Sequence, residues 1–198
     1  KYLIDSIVKY KKKPKLFFFS SSSHVYKVTK KLKKIKETEK TMPVSLYGKT
    51  KLMAENYVKK KLKKNNINYC IGRIFSFTDK HQDKSFLVPS LFNKIKNCKS
   101  EINLKDLNHY RDFLVISDIS KAIEILCKKQ IKGIVNIGSE KAVHLTDIAK
   151  FFSNKYRKKI NYIGSNKKST YLIADNKKLR KTGWRQSQNF INQLKIFK

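Results

Sequence analysis

A short apolar segment that ends in serines constrains the fold of this chain more than any other feature of its sequence. Residues 15–20 contain an unbroken run of one Leu and three Phe, and serines occupy positions 20–23. An apolar run of this length, bounded by polar residues, is typical of a strand buried on both faces of a parallel sheet. Because parallel strands need a crossover connection, usually a helix, the rest of the chain is expected to alternate strands with helices.

The hydrophobic spacing along the chain agrees with that expectation. Apolar residues at helical spacing predict helices over residues 1–10, 45–64, 86–95, 117–127 and 145–156, and another after residue 187. Ser117 and Asp118 are predicted to cap the fourth of them. Strands are predicted over residues 67–75, 113–116 and 134–137 and near residues 160 and 171, with a polar, Lys-rich loop over residues 27–43. The pattern predicts an α/β chain with a largely parallel sheet.

The net charge of +33 raises the question of a nucleic-acid partner. Only five of the 47 basic residues are Arg, and recognition of bases and phosphates relies on the guanidinium fork. Since the lysines are spread over most of the chain, an AT-rich coding bias explains them better than a binding footprint. We therefore expect no specific nucleic-acid partner, although a positive field attracts anionic ligands. A non-catalytic basic protein that binds RNA or another polyanion is the alternative of a different class.

Other features point to the cytoplasm. No apolar run approaches the roughly 20 residues needed to span a bilayer, and residues 1–10 lack the pattern of a signal peptide. The three cysteines have no metal-ligand spacing and fit reduced thiols. We expect a cytoplasmic protein with no membrane partner and no metal, in which Cys70 is a buried hydrophobe and Trp184 is a packing anchor for the C-terminal part.

Tyr47 and Lys51 form the main chemical constellation. Four residues apart on a helix, their side chains share one face. A nearby ammonium favours the phenolate and lowers a phenol pKa that is ordinarily about 10. The same spacing recurs at Tyr26/Lys30 and Tyr57/Lys61, but only Tyr47 follows the serine-ended strand at a loop's distance and opens a long helix, with Gly48 beside it.

Six segments, in the same order, resemble the extended short-chain dehydrogenase/reductases, the NAD-dependent epimerase/dehydratase family. They are FFFSSSSHVY, ETEKTMPVSLYGKTKLMAE, GRIFSF, RDFLVISDISKAI, VNIGSEKAVHLTDIA and ADNKKLRKTGW. The resemblance implies the C-terminal part of a Rossmann-like parallel-sheet domain with a smaller α/β substrate-binding subdomain. The first would comprise residues 1–76, and the second residues 77–198, interleaved with the end of the Rossmann-like sheet.

The resemblance also implies the chemistry. NAD or NADP is the expected cofactor, a nucleotide-linked sugar is the expected substrate, and a complete enzyme is expected to be a homodimer. Carried over by position, Ser22, Tyr47 and Lys51 are the catalytic residues, and Tyr47 and Lys51 also bind the cofactor. Ser22, Ser23, His24 and Arg111 would bind the substrate, with Arg111 at its diphosphate.

Three departures from the family pattern qualify these expectations. The six glycines form no G-x-x-G-x-x-G turn, so we expect about the first third of such an enzyme to be missing ahead of Lys1 and the chain alone to be inactive. Ser23 and His24 stand where dehydratases carry an acidic pair, which disfavours dehydration. Ser76 replaces an Asn that is frequent in the family.

The sequence thus favours an NAD(P)-dependent epimerase or ketoreductase that serves polysaccharide biosynthesis. A nucleotide-sugar dehydratase is the second enzymatic hypothesis, and an inactive gene fragment is a further alternative. His24 has an unperturbed pKa near neutrality and is a candidate acid or base, but the reading that it only lines the pocket is preferred.

Overall fold

The structure, a computed structural model, describes residues 1–164 and 168–198. In this part of the chain the helices are α1 (Tyr2–Lys9), α2 (Leu46–Lys64), α3 (Leu87–Asn97), α4 (Ile116–Lys128), α5 (Leu145–Tyr156), α6 (Lys177–Arg180) and α7 (Phe190–Gln193). The strands are β1 (Phe17–Ser22), β2 (Lys34–Ile35), β3 (Tyr69–Ile74), β4 (Ser76–Thr78), β5 (Glu101–Lys105), β6 (Tyr110–Arg111), β7 (Phe113–Val115), β8 (Gly133–Ile137), β9 (Val143–His144), β10 (Lys159–Ile163) and β11 (Tyr171–Ala174).

Three parallel strands in the order β1-β3-β8 form the central sheet. The pairing of β1 with β3 runs from Phe17 opposite Tyr69 to Ser22 opposite Ile74. The predicted parallel arrangement of the serine-ended strand and the strand over residues 67–75 is therefore confirmed. Both strands end at the same edge of the sheet, which is where ligands bind in open α/β folds.

Helices cover both faces of the central sheet. Ile71 of β3 packs with residues of α1 and α2, including Ile4 and Leu62, whereas the neighbouring Cys70 packs with α4 and Trp184. Adjacent residues of a strand point to opposite faces, so these two clusters lie on opposite sides of the sheet. The predicted α/β class is confirmed, and a strand buried on both faces explains the continuous apolar run.

The remaining strands are short and form smaller sheets. A four-stranded sheet has the order β2-β11-β6-β9, in which only β6 and β9 are antiparallel, and the pairs β5–β10 and β4–β7 are both parallel. The strand β2 lies inside the segment predicted as a loop. The sequence pattern does not predict β4, β5, β6 or β9, because two to five residues carry too little periodicity.

The predicted cap of α4 is wrong. The helix begins at Ile116 without a side-chain cap, which places Asp118 inside its first turn. The buried Asp118 carboxylate instead accepts hydrogen bonds from Ser187 N (3.1 Å) and Gln193 Nε2 (3.0 Å). Donors from the C-terminal segment thus satisfy this side chain, so it is not available to the helix end.

Trp184, the predicted packing anchor of the C-terminal part, packs against the central sheet and α4. It is buried with residues of α4, β3 and β8, and its Nε1 donates to Asp118 O at 3.0 Å. The separate core of the C-terminal part joins α3, α5 and α7 around Ile95, Phe152 and Leu194. Trp184 therefore fixes the chain's last segment to the central sheet. Full burial of a large apolar side chain stabilises a fold by about 1.5–3 kcal/mol.

Candidate active site

The carboxyl end of β1 continues into a tight segment, residues 20–25, which we call the serine turn. Its second half is a 3₁₀ helix, Ser23–Val25, that begins where Ser22 Oγ accepts a hydrogen bond from His24 N at 3.2 Å. Ser22 and Ser23 are buried, while His24 is exposed. Because Ser22 acts here as an acceptor, its own hydroxyl hydrogen remains available as a donor.

A glycine allows the first turn of α2 to lie against the serine turn. A Cβ at Gly48 would be 2.3 Å from His24 O and 3.0 Å from Pro43 Cβ, so no side chain fits there. Ser45 Oγ accepts from Gly48 N at 3.1 Å and caps the helix at this point. The close backbone approach brings the residue before Gly48, Tyr47, to the edge of the serine turn.

Tyr47 and Lys51 share one face of α2, as predicted. The Tyr47 side chain is 53% exposed, and its ring meets the His24 ring edge-on at a centroid distance of 5.6 Å. Lys51 Nζ lies 5.7 Å from the centroid of the Tyr47 ring and donates to Ser20 O at 3.0 Å. The ammonium thus connects the tyrosine to the end of β1.

His24 and Arg111 are close enough to interact electrostatically. Desolvation by the surrounding atoms lowers the pKa of His24, and the Arg111 guanidinium lowers it further. The Arg111 side chain donates from Nη1 to Tyr110 O (2.8 Å) and Thr170 O (2.9 Å), and from Nη2 to Thr170 Oγ1 (3.1 Å). The half-buried Arg111 guanidinium therefore lies near the His24 ring, and its positive charge favours an anionic ligand on this side of the serine turn.

Asp112, the neighbour of Arg111, holds the strands around this cation together. Its buried carboxylate accepts from Ser139 N and Ser139 Oγ (both 2.6 Å), Glu140 N (2.9 Å) and Ala174 N (3.0 Å). Burial raises the pKa of Asp112 to about 6, although these hydrogen bonds act in the opposite direction. The sequence shows Asp112 only as a member of the Arg-Asp-Phe segment and does not reveal this role.

The residues assigned to one site by resemblance therefore lie together: Ser22, Ser23, His24, Tyr47, Lys51 and Arg111. Sequence reasoning missed a buried ion pair beneath them, between Glu55 of α2 and Arg73 of β3. The sequence contains two signals for this pair. Arg73 is a charged residue in an otherwise apolar strand, and Glu55 lies four residues after Lys51, on the same face of the helix.

No cluster of His, Cys, Asp or Glu that could bind a metal occurs in residues 1–164 and 168–198. None of the helices described there is long and apolar enough to cross a membrane.

Cys70 is buried in β3, and burial raises its thiol pKa to about 12, in keeping with the expected structural role.

The parallel sheet with helices on both faces defines an α/β protein of the doubly wound, Rossmann-like class. The sequence profile of the NAD dependent epimerase/dehydratase family matches residues 1–138, and the chain belongs to this family.

Individual relatives agree with the family assignment. The chain is 28% identical over 191 residues to a putative UDP-glucose 4-epimerase from Methanocaldococcus jannaschii, covering 93% of this chain and 59% of that protein. It is 30% identical over 188 residues to ADP-L-glycero-D-manno-heptose-6-epimerase from Brachyspira hyodysenteriae, covering 87% and 58%. The chain thus spans about three fifths of the length of these relatives.

A solved structure shows the same fold. The dTDP-glucose 4,6-dehydratase of Bacillus anthracis, in complex with NAD, superposes with a TM-score of 0.87 over 98% of this chain and 63% of that one, at 18% identity.

Proposed function

We propose that this chain carries the acid–base and substrate-binding residues of an NAD(P)-dependent epimerase or ketoreductase that acts on a nucleotide-linked sugar. The observation that supports this most strongly is the Tyr47–Lys51 face of α2 beside the serine turn, with Lys51 Nζ between the Tyr47 ring and Ser20 O. The curated relatives described above are named as epimerases of nucleotide-linked sugars.

Each side chain has a role in moving one proton. The Tyr47 phenolate takes the proton from a sugar hydroxyl as that hydroxyl becomes a carbonyl, and the resulting phenol returns it when the carbonyl is reduced. The Ser22 hydroxyl donates a hydrogen bond to the same sugar oxygen, and the Lys51 ammonium stabilises the phenolate. NAD(P), when bound, supplies or accepts the hydride.

The residues present fit one end of such a cofactor. Lys51 uses one N–H for Ser20 O, and an ammonium has three, so two remain for the hydroxyls of a ribose. The pyrophosphate end is different, because none of the six glycines belongs to a glycine-rich phosphate turn.

Arg111 and His24 would bind the substrate through its diphosphate. The guanidinium has five N–H donors and uses three hydrogen bonds within the chain, which leaves donors for phosphate oxygens. Ser23 and His24 offer no carboxylic acid to protonate a leaving hydroxyl, so epimerisation or ketone reduction is favoured over dehydration.

The same proposal includes four further points: a domain boundary near residue 76, a homodimeric complete enzyme, a cytoplasmic location and a role in polysaccharide synthesis.

Substrate binding can be tested on the chain itself. We expect UDP-glucose or dTDP-glucose to shift the amide resonances of the serine turn and of Arg111, whereas free glucose leaves them unchanged. The variant Arg111→Gln should weaken this binding at least about tenfold, since it removes a charge-assisted contact with phosphate. The exposed Arg157→Gln is the matched control and should bind as the parent chain does. Equal binding by both variants would contradict the assigned role of Arg111.

Catalysis can be tested in an enzyme in which this chain is joined to a glycine-rich dinucleotide-binding segment. There we expect Tyr47→Phe to lower kcat by roughly 10² to 10⁴, the usual contribution of acid–base catalysis, with KM little changed. Turnover close to that of the parent enzyme would reject Tyr47 as the proton-transfer group.

A further inference from the structure

One face of α2 carries three polar residues at four-residue spacing: Tyr47, Lys51 and Glu55. Exposure falls along this face from 53% at Tyr47 to 0% at Glu55. A carboxylate withdrawn from water is tolerated only when it is paired and hydrogen-bonded. The partners of Glu55 therefore help to decide how the buried end of this face is held.

Glu55 is bound to two strands of the central sheet at once. Arg73 of β3 donates from Nε to Oε1 (2.9 Å) and from Nη2 to Oε2 (2.7 Å). Ser21 of β1 donates from Oγ to Oε1 at 2.6 Å. The two parallel bonds from a planar guanidinium fix orientation as well as distance.

The same guanidinium reaches the other end of the serine turn. Arg73 Nη1 donates to the hydroxyl of Tyr26, the residue after the turn, at 2.7 Å. Tyr26 in turn donates to Asn136 Oδ1 of β8 at 2.9 Å. Burial raises the pKa of Tyr26 to about 12, so its hydroxyl keeps the proton that this bond requires.

We propose that Glu55 and Arg73 are positioning residues that set the placement of the Tyr47–Lys51 face relative to the serine turn. Their functional meaning rests on the proposed function of Tyr47 and Lys51. Glu55 binds Ser21, and Lys51, one helical turn closer to Tyr47, binds the adjacent Ser20 O at 3.0 Å. Arg73 joins this assembly to the residue that closes the turn.

The buried Glu55–Arg73 pair contributes more to the orientation of α2 on the sheet than to the stability of the fold. Apolar packing of α2 against the sheet is non-directional and leaves small rotations of the helix uncontrolled. A buried ion pair adds little net stability compared with well-packed apolar residues, but its geometry is strict. We infer that loosening the fork leaves the chain folded and disturbs the site about two helical turns away.

Nuclear magnetic resonance on the 198-residue chain tests this directly. The variant Arg73→Lys keeps the charge and removes the fork, and Arg180→Lys makes the same change at the exposed Arg180–Glu140 pair. The reporters are the nuclear Overhauser effect between the His24 and Tyr47 rings and the hydrogen exchange of the amides of residues 48–51. Arg73→Lys should retain a folded methyl spectrum, at least halve the ring-to-ring effect and raise the exchange rates about tenfold. Arg180→Lys should change neither reporter.

A folded Arg73→Lys chain with both reporters unchanged would overturn the proposal, because the pair would then be merely structural. If Arg73→Lys does not fold, Ser21→Ala takes its place, since it keeps the ion pair and removes only the link from Glu55 to β1. Unchanged reporters in folded Ser21→Ala would overturn the proposal equally. Neither reporter needs cofactor or substrate. A disturbed site combined with full turnover of Tyr47→Phe would therefore reject the proposed function and leave the positioning role standing.

Discussion

The Lys51 ammonium stands 5.7 Å from the centroid of the Tyr47 ring while it donates a 3.0 Å hydrogen bond to the carbonyl oxygen of Ser20. One side chain thus joins the exposed tyrosine of α2 to the last residues of β1. The relationship depends on a close approach of helix and turn, which Gly48 permits.

Replacing Gly48 by Ala should destabilise the chain. Alanine is favoured over glycine in a helix by up to about 1 kcal/mol, but the added Cβ would lie 2.3 Å from the carbonyl oxygen of His24. Because His24 O is a backbone atom and a Cβ is fixed to the helix backbone, relief requires moving the helix from the turn, and we expect a net loss of about 1–3 kcal/mol. Urea denaturation measures it.

The matched control for that variant is Gly164→Ala, where a Cβ meets nothing within 4 Å. Its stability should stay within about 0.5 kcal/mol of the parent chain. Equal stability of the two variants would show that the contact between α2 and the serine turn is not tight.

His24 should titrate below 6.5, its ordinary value, in the folded chain. Desolvation is the larger cause and Arg111 the second, so Arg111→Gln should raise the midpoint only partway. A histidine with a depressed folded pKa favours its neutral form, and the positive form returns as the pH falls. Ring-proton resonances followed against pH give the midpoint. A lower midpoint in Arg111→Gln would contradict the stated proximity.

Asp112 should make a pH-dependent contribution to stability. Its pKa is about 6 when folded against 3.8 as the ordinary value, so the folded chain holds its proton more tightly. The stabilisation is complete below about pH 4 and is lost as the pH rises through about 6, up to roughly 3 kcal/mol. The deficit in free energy of unfolding of Asp112→Asn, relative to the parent chain, should therefore shrink between pH 4 and 7. A deficit that grows over this range would mean that the hydrogen bonds of Asp112 outweigh its burial.

The 198-residue chain should bind NADH and NADPH weakly. Dinucleotide affinity in this fold depends largely on backbone N–H groups of a glycine-rich turn and the helix behind it. Lys51 alone offers a single charge on a flexible stem. Titration calorimetry with each nucleotide measures the affinity, and a one-to-one isotherm in the low micromolar range would contradict this account.

The positive charge should give only non-specific binding to RNA. Binding driven by dispersed lysines depends on counterion release and weakens steeply with salt. We expect mixed-sequence RNA to dissociate at roughly physiological salt in a fluorescence anisotropy titration. Tight binding that persists there and prefers one sequence would instead support the nucleic-acid hypothesis.

Sequence alone determined the elements whose signals are local. The helix α5 has the predicted bounds, Leu145–Tyr156, and α2, Leu46–Lys64, starts one residue later than the predicted range 45–64 and ends where predicted. The central strands follow from apolar runs, and the Tyr47–Lys51 face follows from helical periodicity. These features depend on residues within a few positions of one another, so the chain's own order reveals them.

Tertiary structure decided what residues far apart in sequence do together. The Glu55–Arg73 pair, the contact of Trp184 with α4 and the donors around Asp112 join segments separated by 18 to 66 residues. The proximity of the Arg111 charge to His24 also results from tertiary packing. A buried acidic or basic side chain must form hydrogen bonds or an ion pair, because a charged group removed from water is costly without a partner. Which partner it meets depends on the packing of whole elements, and no local pattern specifies it.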